Sequence, residues 1–338
     1  MTVFDIRDLT RPVIVAPMAG GPSTPELAAA GTEAGGLGFV AAGYLTADAF
    51  ADRLRAAQAL TSGPLGANLF VPQPSVAGRD EVLAYAEQLA PDARRYGAQP
   101  GEPRWNDDAW QAKLDVLGEL RPEVVSFTFG LPSATELTRL RSVGIATVGT
   151  VTTVEEARAA ADRGVDVVAV QGPEAGGHRG HFDAAVRPPT QPLTDLLAEV
   201  LAAIDLPVVA AGGLIDARAV AGVLDAGAVA AQLGTAFLLA DESGSSPVHR
   251  GALRDPQFTE TVVTKAFSGR YARGLRNRFV VDHDAQAPLA YPQVHHLTGP
   301  LRAAAVRAGD PHGTNIWAGT GFRSAPSGSV AEIMAGLT

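Results

Sequence analysis

The chain has 338 residues, of which 46% are hydrophobic and 19% are charged, so it contains enough apolar residues for a large folded core. Its 27 basic and 36 acidic residues give a formal net charge of −9, which disfavours binding to nucleic acid or to an anionic membrane. The absence of cysteine excludes disulfides, cysteine-ligated zinc, iron–sulfur clusters and a thiol nucleophile, and no metal site is predicted.

The N-terminal segment lacks the features of a targeting sequence, because Asp5 and Asp8 stand where a signal peptide would be basic and then apolar. No apolar run approaches the length of about 18 residues that a membrane span requires. We therefore expect a cytoplasmic protein with no membrane segment. Its 37 glycines and 24 prolines indicate many tight turns or close backbone approaches.

Eight short apolar runs recur along the chain, and segments of helical character follow them. Small or β-branched runs of this kind are typical of strands buried on both faces of a parallel sheet. In chain order the predicted strands lie at residues 13–16, 38–42, 66–70, 124–127, 146–149, 167–170, 208–211 and 229–233.

Helix-start patterns follow several of these runs, namely Thr24-Pro25-Glu26, Thr153 with Glu156, and Asp216. Gly164 and Gly227 are placed to end two of the helices. Eight strand–helix units with right-handed crossovers predict an α/β fold of the (β/α)8 TIM barrel type. A doubly wound sheet has the same periodicity and stays open as an alternative.

Two regions interrupt the alternation. Residues of about 72–111 form an insertion with one predicted helix, and the pattern ceases after about residue 240. We therefore predict a barrel over residues 1–240 and a small, mainly helical accessory region over 241–338. Insertions after barrel strands lie on the catalytic face, so both regions suit a lid. The C-terminal region equally suits a contact in a homodimer, and its pattern does not separate the two.

The sequence QGPEAGGHRG, residues 171–180, follows the sixth predicted strand directly. Its glycines permit close backbone approach to a ligand, and His178 would lie at the catalytic face with a side chain that titrates near neutral pH. A histidine between glycines can also simply cap a loop, but its place after a buried strand favours a catalytic role. His181 has no comparable support and is predicted to be structural.

Glycine-rich segments also follow the seventh and eighth predicted strands, at residues 211–214 and 232–235. In barrels these positions form the usual phosphate site, where loop amides and a helix N-terminus bind the anion. Tight strand–helix turns would explain either segment alone. Their occurrence in consecutive positions favours a phosphorylated cofactor or substrate.

These segments together resemble the nitronate monooxygenases, formerly 2-nitropropane dioxygenases, and most closely the bacterial class I group. Over the barrel the resemblance rests on APMAGGPSTPEL, AGGLGFV, GANLFVP, QGPEAGGHRG, AAGGL and QLGTAFL. It extends more loosely into the C-terminal region through TKAFSGRYARGLRN and AYPQVHHLTGPLRAAA.

The resemblance implies non-covalently bound FMN and assigns residues to it. It places Ala16, Pro17 and Met18 along the flavin edge, and Asn68 and Gln171 at the isoalloxazine. It assigns the ribityl phosphate region to Gly176, Gly213, Gln232, Gly234 and Thr235. His178 occupies the position of the catalytic histidine, either as a base toward a nitroalkane or, when protonated, as a stabiliser of the nitronate charge.

One departure concerns the fourth strand, where many relatives have a histidine and this chain has Thr128. A hydroxyl can bind a nitro oxygen but cannot act as a base near pH 7, so Thr128 is expected to affect substrate preference. Lys265 and Arg270 are candidates to reach the pocket and favour an anionic substrate, and surface solvation explains them equally well.

The predicted function is the oxidation of alkyl nitronates, with propionate 3-nitronate as one candidate, by O2 to carbonyl products and nitrite. The main alternative is an NAD(P)H-dependent flavin reductase of a quinone or an enoyl thioester on the same barrel. No separate GxGxxG strand–helix unit is present, which weakly disfavours the reductase. A phosphate-binding isomerase and a non-enzymatic ligand binder are further alternatives, and both would be colourless.

Overall fold

The computed structural model describes residues 3–337 and contains a closed barrel of eight parallel strands, which confirms the predicted (β/α)8 fold. The barrel strands are β1 (Val13–Val15), β2 (Leu37–Ala41), β3 (Leu65–Phe70), β4 (Val124–Thr128), β5 (Ala146–Val151), β6 (Val167–Gln171), β8 (Val208–Ala211) and β9 (Ala230–Leu233). They follow one another in chain order, and β9 pairs with β1 to close the barrel.

A second, three-stranded sheet lies outside the barrel. Its strands are β7 (Gly177–His178), β10 (Thr261–Thr264) and β11 (Ala272–Leu275), in the order β10-β11-β7 with antiparallel pairing. The two-residue strand β7 belongs to the glycine–histidine segment that follows β6. This sheet therefore joins the barrel's sixth loop to the C-terminal region.

Successive residues of the barrel strands are buried in two different environments, one inside the barrel and one between the strands and the helices. In β1, Ile14 joins the cluster that contains Phe39 and Val148, whereas Val13 and Val15 join the cluster formed with the surrounding helices. At Gly38 a Cβ would lie 1.8 Å from the carbonyl oxygen of Ala28, so glycine is required for the helix to pack on β2.

The helices that pack against the barrel strands are α1 (Pro25–Glu33), α2 (Ala47–Leu60), α5 (Trp110–Leu120), α6 (Ala134–Ser142), α7 (Val154–Arg163), α8 (Leu193–Ala203) and α9 (Ala217–Asp225). The predicted caps are confirmed: the side chains of Thr24, Thr153 and Asp216 each accept a hydrogen bond from the backbone amide three residues later. Gly164 ends α7 in the left-handed conformation, with φ of 88°.

The insertion and the C-terminal region form one second layer. The insertion carries α3 (Arg79–Gln88) and α4 (Ala90–Tyr96), and the C-terminal region carries α10 (Pro247–Arg254), α11 (Arg278–His283), α12 (Gln293–Arg307) and α13 (Val330–Ala335). A shared apolar cluster contains Tyr85 and Leu89 from the insertion together with Phe279, Val294 and Leu297. The two regions that interrupt the sequence pattern are therefore packed against each other.

The last helix leaves this layer and returns to the barrel. Val330, Ile333 and Met334 of α13 lie in the cluster between the barrel strands and their helices. The division at residue 240 into a barrel and an accessory region stays a prediction. Within residues 3–337, no helix combines the length and the apolar character needed to cross a membrane.

Candidate active site

A cavity of about 490 Å³ opens at the carboxyl ends of the barrel strands, the face that carries active sites in barrels of this type. Its volume falls in the usual range for cofactor and substrate pockets. The cavity is lined by almost all of the residues predicted from the sequence, namely Ala16, Pro17, Met18, Asn68, Thr128, Gln171, Gly176, His178, Gly213, Gln232, Gly234 and Thr235. The fold thus brings together residues that span more than 200 positions of the chain.

Lys265, the other predicted substrate residue, does not line this cavity. Its Nζ donates to the backbone carbonyl oxygens of Asp284, at 2.8 Å, and of Ala287. These bonds hold the ammonium group within the second layer. Lys265 is therefore bonded within the protein and is not available to a ligand in the cavity.

Arg270 also lies outside the cavity lining, although it is close to the site. Its guanidinium is buried and lies 4.0 Å from the centre of the Phe129 ring, and it donates to the carbonyl oxygen of His181. The Phe129 ring in turn lies 5.7 Å from the imidazole of His178. Arg270 can therefore act on the site through its electric field without touching a ligand.

His178 is fixed by backbone pairing and by aromatic packing. As part of β7 it pairs with Ala272 of β11. Its ring lies 5.6–5.8 Å from the rings of Phe129, Tyr291 and Trp317. The catalytic candidate is therefore oriented mainly by the second layer.

The imidazole Nε2 of His178 lies 2.8 Å from the hydroxyl oxygen of Ser268, which also lines the cavity. That hydroxyl donates to the carbonyl oxygen of Arg270 at 3.1 Å. A serine hydroxyl has one proton, so when Ser268 gives that proton to the Arg270 carbonyl, Nε2 of His178 is the donor toward Ser268. In the neutral ring Nδ1 then holds the lone pair.

Burial, together with the nearby positive charges of Arg270 and Arg302, lowers the pKa of His178 to about 3. The ring is therefore neutral at physiological pH. The neutral imidazole is the form that can accept a proton, and the protonated form needed for charge stabilisation is disfavoured. The same lowered pKa makes the ring a weak base in the absence of a ligand.

Asn68 and Thr128 share one hydrogen-bonded group at the ends of β3 and β4. The Asn68 Nδ2 donates to Ser126 Oγ at 2.9 Å and to Thr128 Oγ1 at 3.1 Å. Its amide nitrogen is thus directed to β4, which leaves the amide oxygen as an acceptor for a ligand. Thr128 lines the cavity but is tied to Asn68 through its hydroxyl.

Gln171 lines the cavity and also closes the loop that carries His178. Its Nε2 donates to the carbonyl oxygen of His178 at 3.0 Å, and its Oε1 accepts from the amide of Gly180 at 2.9 Å. The side chain therefore bridges both ends of residues 178–180. Much of its hydrogen-bonding capacity is used within the protein rather than toward the cavity.

The opposite part of the cavity is formed by glycine-rich backbone. Gly213 has φ of 72°, a conformation that disfavours residues with a side chain. At Gly176 a Cβ would lie 2.5 Å from the backbone nitrogen of Gly319. Thr235 Oγ1 accepts from that same Gly319 amide at 2.9 Å, which joins the loop after β9 to the C-terminal segment that packs against Gly176.

The cavity is electropositive although the chain is acidic. None of the described residues that line it is Asp or Glu, whereas Arg302 of α12 does line it. Arg302 forms no ion pair with a carboxylate among residues 3–337. Its guanidinium donates to Asn315 Oδ1 at 2.9 Å and to the carbonyl oxygen of His295 at 3.0 Å. A cation without a counter-ion suits an anionic ligand.

Several polar residues of the lining were not predicted from the sequence, among them Tyr44, Ser268, His295 and Arg302. Ser268 lies in TKAFSGRYARGLRN, and His295 and Arg302 lie in AYPQVHHLTGPLRAAA, the two segments that extend the resemblance into the C-terminal region. The resemblance of those two segments to the family was therefore the only sign in the sequence that these three residues belong to the site. Tyr44 follows β2 with no comparable pattern.

Comparison with known proteins gives consistent results. A family model described as nitronate monooxygenase matches residues 5–338. A probable nitronate monooxygenase of Bacillus subtilis (strain 168) is 37% identical over 321 residues, which cover 94% of this chain and 91% of that protein. A probable nitronate monooxygenase of Staphylococcus saprophyticus is 38% identical over 325 residues, with 94% and 90% covered.

Two solved structures are also similar. The nitroalkane oxidase from Streptomyces ansochromogenes has a TM-score of 0.93 and 48% identity, with 98% of this chain and 96% of that chain covered. FabK from Thermotoga maritima has a TM-score of 0.75 and 26% identity, with 98% of this chain and 93% of that chain covered.

Proposed function

Since this chain belongs to the nitronate monooxygenase family, we propose that it uses FMN and O2 to oxidise alkyl nitronates to carbonyl products and nitrite. Family membership, which confirms the resemblance seen in the sequence, makes the protein an oxidoreductase of nitronates or nitroalkanes. The cofactor, the oxidant and the substrate are the proposed parts. The observation that carries them is a neutral histidine in an electropositive cavity bordered by glycine loops.

The residues present fit FMN in chemistry and shape. The backbone at Gly213, Gly234 and Thr235 can approach a phosphate closely, and no carboxylate of the described lining would repel it. Asn68 offers an amide oxygen, which suits the imide edge of a flavin. When bound, FMN supplies the electron-accepting chemistry that side chains lack.

The role that we propose for His178 is to remove the α-proton of a nitroalkane through Nδ1. Its neutral ring can take up this proton, and Ser268 keeps Nε2 protonated and the ring oriented. Aromatic rings around His178 exclude water from the transfer. A substrate that already enters as the nitronate would not need this step.

For a carboxylated substrate such as propionate 3-nitronate, we assign the carboxylate to Arg302 rather than to Lys265. Arg302 lines the cavity with no carboxylate partner among the described residues, whereas the ammonium of Lys265 is held by backbone carbonyls. A guanidinium can bind a carboxylate through paired hydrogen bonds.

We also propose that the enzyme is cytoplasmic, as the sequence predicts.

The test begins with the visible spectrum of the purified protein, which should show bound flavin. Anaerobic addition of propyl 2-nitronate or propionate 3-nitronate should bleach the oxidised flavin, and the same mixture in air should release nitrite. A flavin that no nitronate reduces but that NADH or NADPH reduces rapidly would overturn the proposal and select the flavin reductase. A colourless protein that takes up no FMN would exclude both.

A further inference from the structure

A loop of the insertion is bonded to the backbone at the edge of the cavity. Asp108 Oδ1 accepts a hydrogen bond from the amide of Tyr44 at 3.1 Å, across 64 positions of sequence. Its other carboxylate oxygen, Oδ2, lies 2.7 Å from Nζ of Lys113 in α5. Asp108 itself does not line the cavity, but Tyr44 does.

Both residues of this contact have an uncommon backbone conformation. Tyr44 has φ of 69° and Asp108 has φ of 54°, within the left-handed region. For a bulky residue such as tyrosine this conformation costs free energy and persists where surrounding contacts impose it. The hydrogen bond to Asp108 is one such contact, because it fixes the direction of the Tyr44 amide.

The position of Tyr44 determines one wall of the cavity. Its ring stacks on the imidazole of His295, with 4.0 Å between ring centres and 2° between planes. His295 in turn accepts at its carbonyl oxygen from Arg302, at 3.0 Å. The ring Nδ1 of His295 also lies 3.2 Å from the guanidinium of Arg302, the only guanidinium that lines the cavity among residues 3–337. A displaced Tyr44 would therefore remove the packing that orients one of the partners of Arg302.

Lys113 has no evident role other than to balance the charge of Asp108. Its side chain is 1% exposed and that of Asp108 is 19% exposed. Burial lowers the pKa of Lys113 and raises that of Asp108, and each charge opposes the shift of the other. Removal of either partner would leave an unbalanced buried charge.

The same loop has a second attachment to α12. Asn106 Nδ2 lies 3.0 Å from Nε2 of His296, the residue that follows His295. The loop thus contacts both of the segments that carry the stacked rings of Tyr44 and His295. This arrangement fits a support for the cavity wall rather than an isolated surface ion pair.

We propose that Asp108 is a positioning residue for substrate binding, which holds Tyr44 against His295 and so keeps Arg302 in place, with Lys113 as its counter-ion. The proposal rests on the proposed function, since the affected step is nitronate binding. It assigns no chemistry to Asp108. Its prediction is a change in KM that exceeds the change in kcat.

The test compares two double variants that both lack the charge pair. D108N/K113M keeps a carbonyl acceptor for the Tyr44 amide, whereas D108A/K113M removes it. We expect D108N/K113M to keep KM for propionate 3-nitronate within about threefold of wild type. D108A/K113M should raise KM by about tenfold or more. In both variants kcat should change by less than about threefold. Bound flavin should be equal in both variants.

Crystal structures of both variants provide a readout that does not depend on turnover. In D108A/K113M the ring-centre distance between Tyr44 and His295 should increase, and in D108N/K113M it should stay near 4.0 Å. Equal KM values in the two variants, or an unmoved Tyr44 in D108A/K113M, would overturn the proposal. If D108A/K113M does not fold, D108E replaces it, because the longer side chain keeps the charge but displaces the acceptor.

A failure of the proposed function is distinguishable from these outcomes. It would appear as a wild-type protein that turns over no nitronate, in which case the crystal structures alone decide whether Asp108 positions Tyr44.

Discussion

His178 and Ser268 are joined by a hydrogen bond, and the Ser268 hydroxyl also lies within hydrogen-bond distance of a third group, the carbonyl oxygen of Arg270. When the Ser268 hydroxyl donates to that carbonyl at 3.1 Å, the 2.8 Å contact to His178 uses the proton on Nε2. The lone pair is thereby placed on Nδ1. Serine thus selects one tautomer of the histidine without entering the proton transfer itself.

We expect His178→Ala to slow nitroalkane oxidation by about 10²–10⁴-fold, the usual contribution of a general base, and to slow oxidation of preformed nitronate much less. Ser268→Ala should give a smaller loss with the same selectivity, because the base stays but its tautomer is no longer fixed. Steady-state rates with nitroethane and with its nitronate measure both effects. Equal losses on the two substrates would argue for charge stabilisation.

The pH dependence provides an independent check on the histidine. With its pKa lowered to about 3 by burial, His178 is neutral above about pH 4, so kcat/KM for a nitroalkane should not inflect near pH 6.5. Activity should decline only as the pH approaches the lowered pKa. An inflection near 6.5 that disappears in His178→Ala would contradict this environment.

Arg302→Gln should raise KM for propionate 3-nitronate by about tenfold or more relative to propyl 2-nitronate, since a hydrogen bond to a charged group contributes about 1.5–3 kcal/mol. The matched control is Lys265→Met, which removes a cation held by the carbonyl oxygens of Asp284 and Ala287. That control should leave the ratio of the two KM values unchanged. A ratio altered by Lys265→Met and not by Arg302→Gln would reverse the assignment.

A pair of glycine variants tests the cofactor end of the cavity. In Gly176→Ala the new Cβ would lie 2.5 Å from the backbone of Ala318 and Gly319, so loops that line the cavity must shift and less flavin should co-purify. Gly222 lies in α9, where an added Cβ would have no atom of the described part of the chain within 4 Å. Gly222→Ala should therefore keep flavin, and its free energy of unfolding should rise by up to about 1 kcal/mol. Full flavin occupancy in Gly176→Ala would show that this approach is not needed.

His181 should make the fold sensitive to acid. It is 3% exposed, neither ring nitrogen has a hydrogen-bond partner among residues 3–337, and burial lowers its pKa to about 4. Between pH 6.5 and 4 the unfolded chain therefore binds a proton that the folded chain does not. The free energy of unfolding falls as the pH is lowered through this window, by up to about 1.4 kcal/mol per unit.

The variant His181→Leu should remove this part of the pH dependence. Urea unfolding at pH 7 and pH 5 measures it, and we expect a smaller difference between the two pH values in the variant than in the wild type. An unchanged difference would mean that His181 is not the residue responsible.

The barrel was predictable from the sequence because its determinants are local. Each strand is a short apolar run, and the caps at Thr24 and Asp216 bond only three residues ahead. The glycine loops follow their strands directly, so the end of the barrel to which they belong follows from parallel topology. The lining residues that belong to the barrel loops could therefore be predicted from local patterns alone.

The substrate end was not predictable in the same way. Lys265 and Arg302 are both basic residues of the C-terminal region, and only tertiary packing shows that one bonds to backbone carbonyls while the other lines the cavity. The contact between Tyr44 and Asp108 spans 64 residues and depends on left-handed conformations at non-glycine positions. Patterns of hydrophobicity carry no information about such contacts.

The pairing of His178 with Ala272 in the second sheet has a consequence for how this enzyme becomes competent. A chain ended at residue 240 would retain the glycine loops but would lose the strand that aligns the imidazole, the hydroxyl that selects its tautomer and the guanidinium of α12. The surroundings of the candidate catalytic histidine are therefore complete only when the C-terminal segment is packed over the barrel.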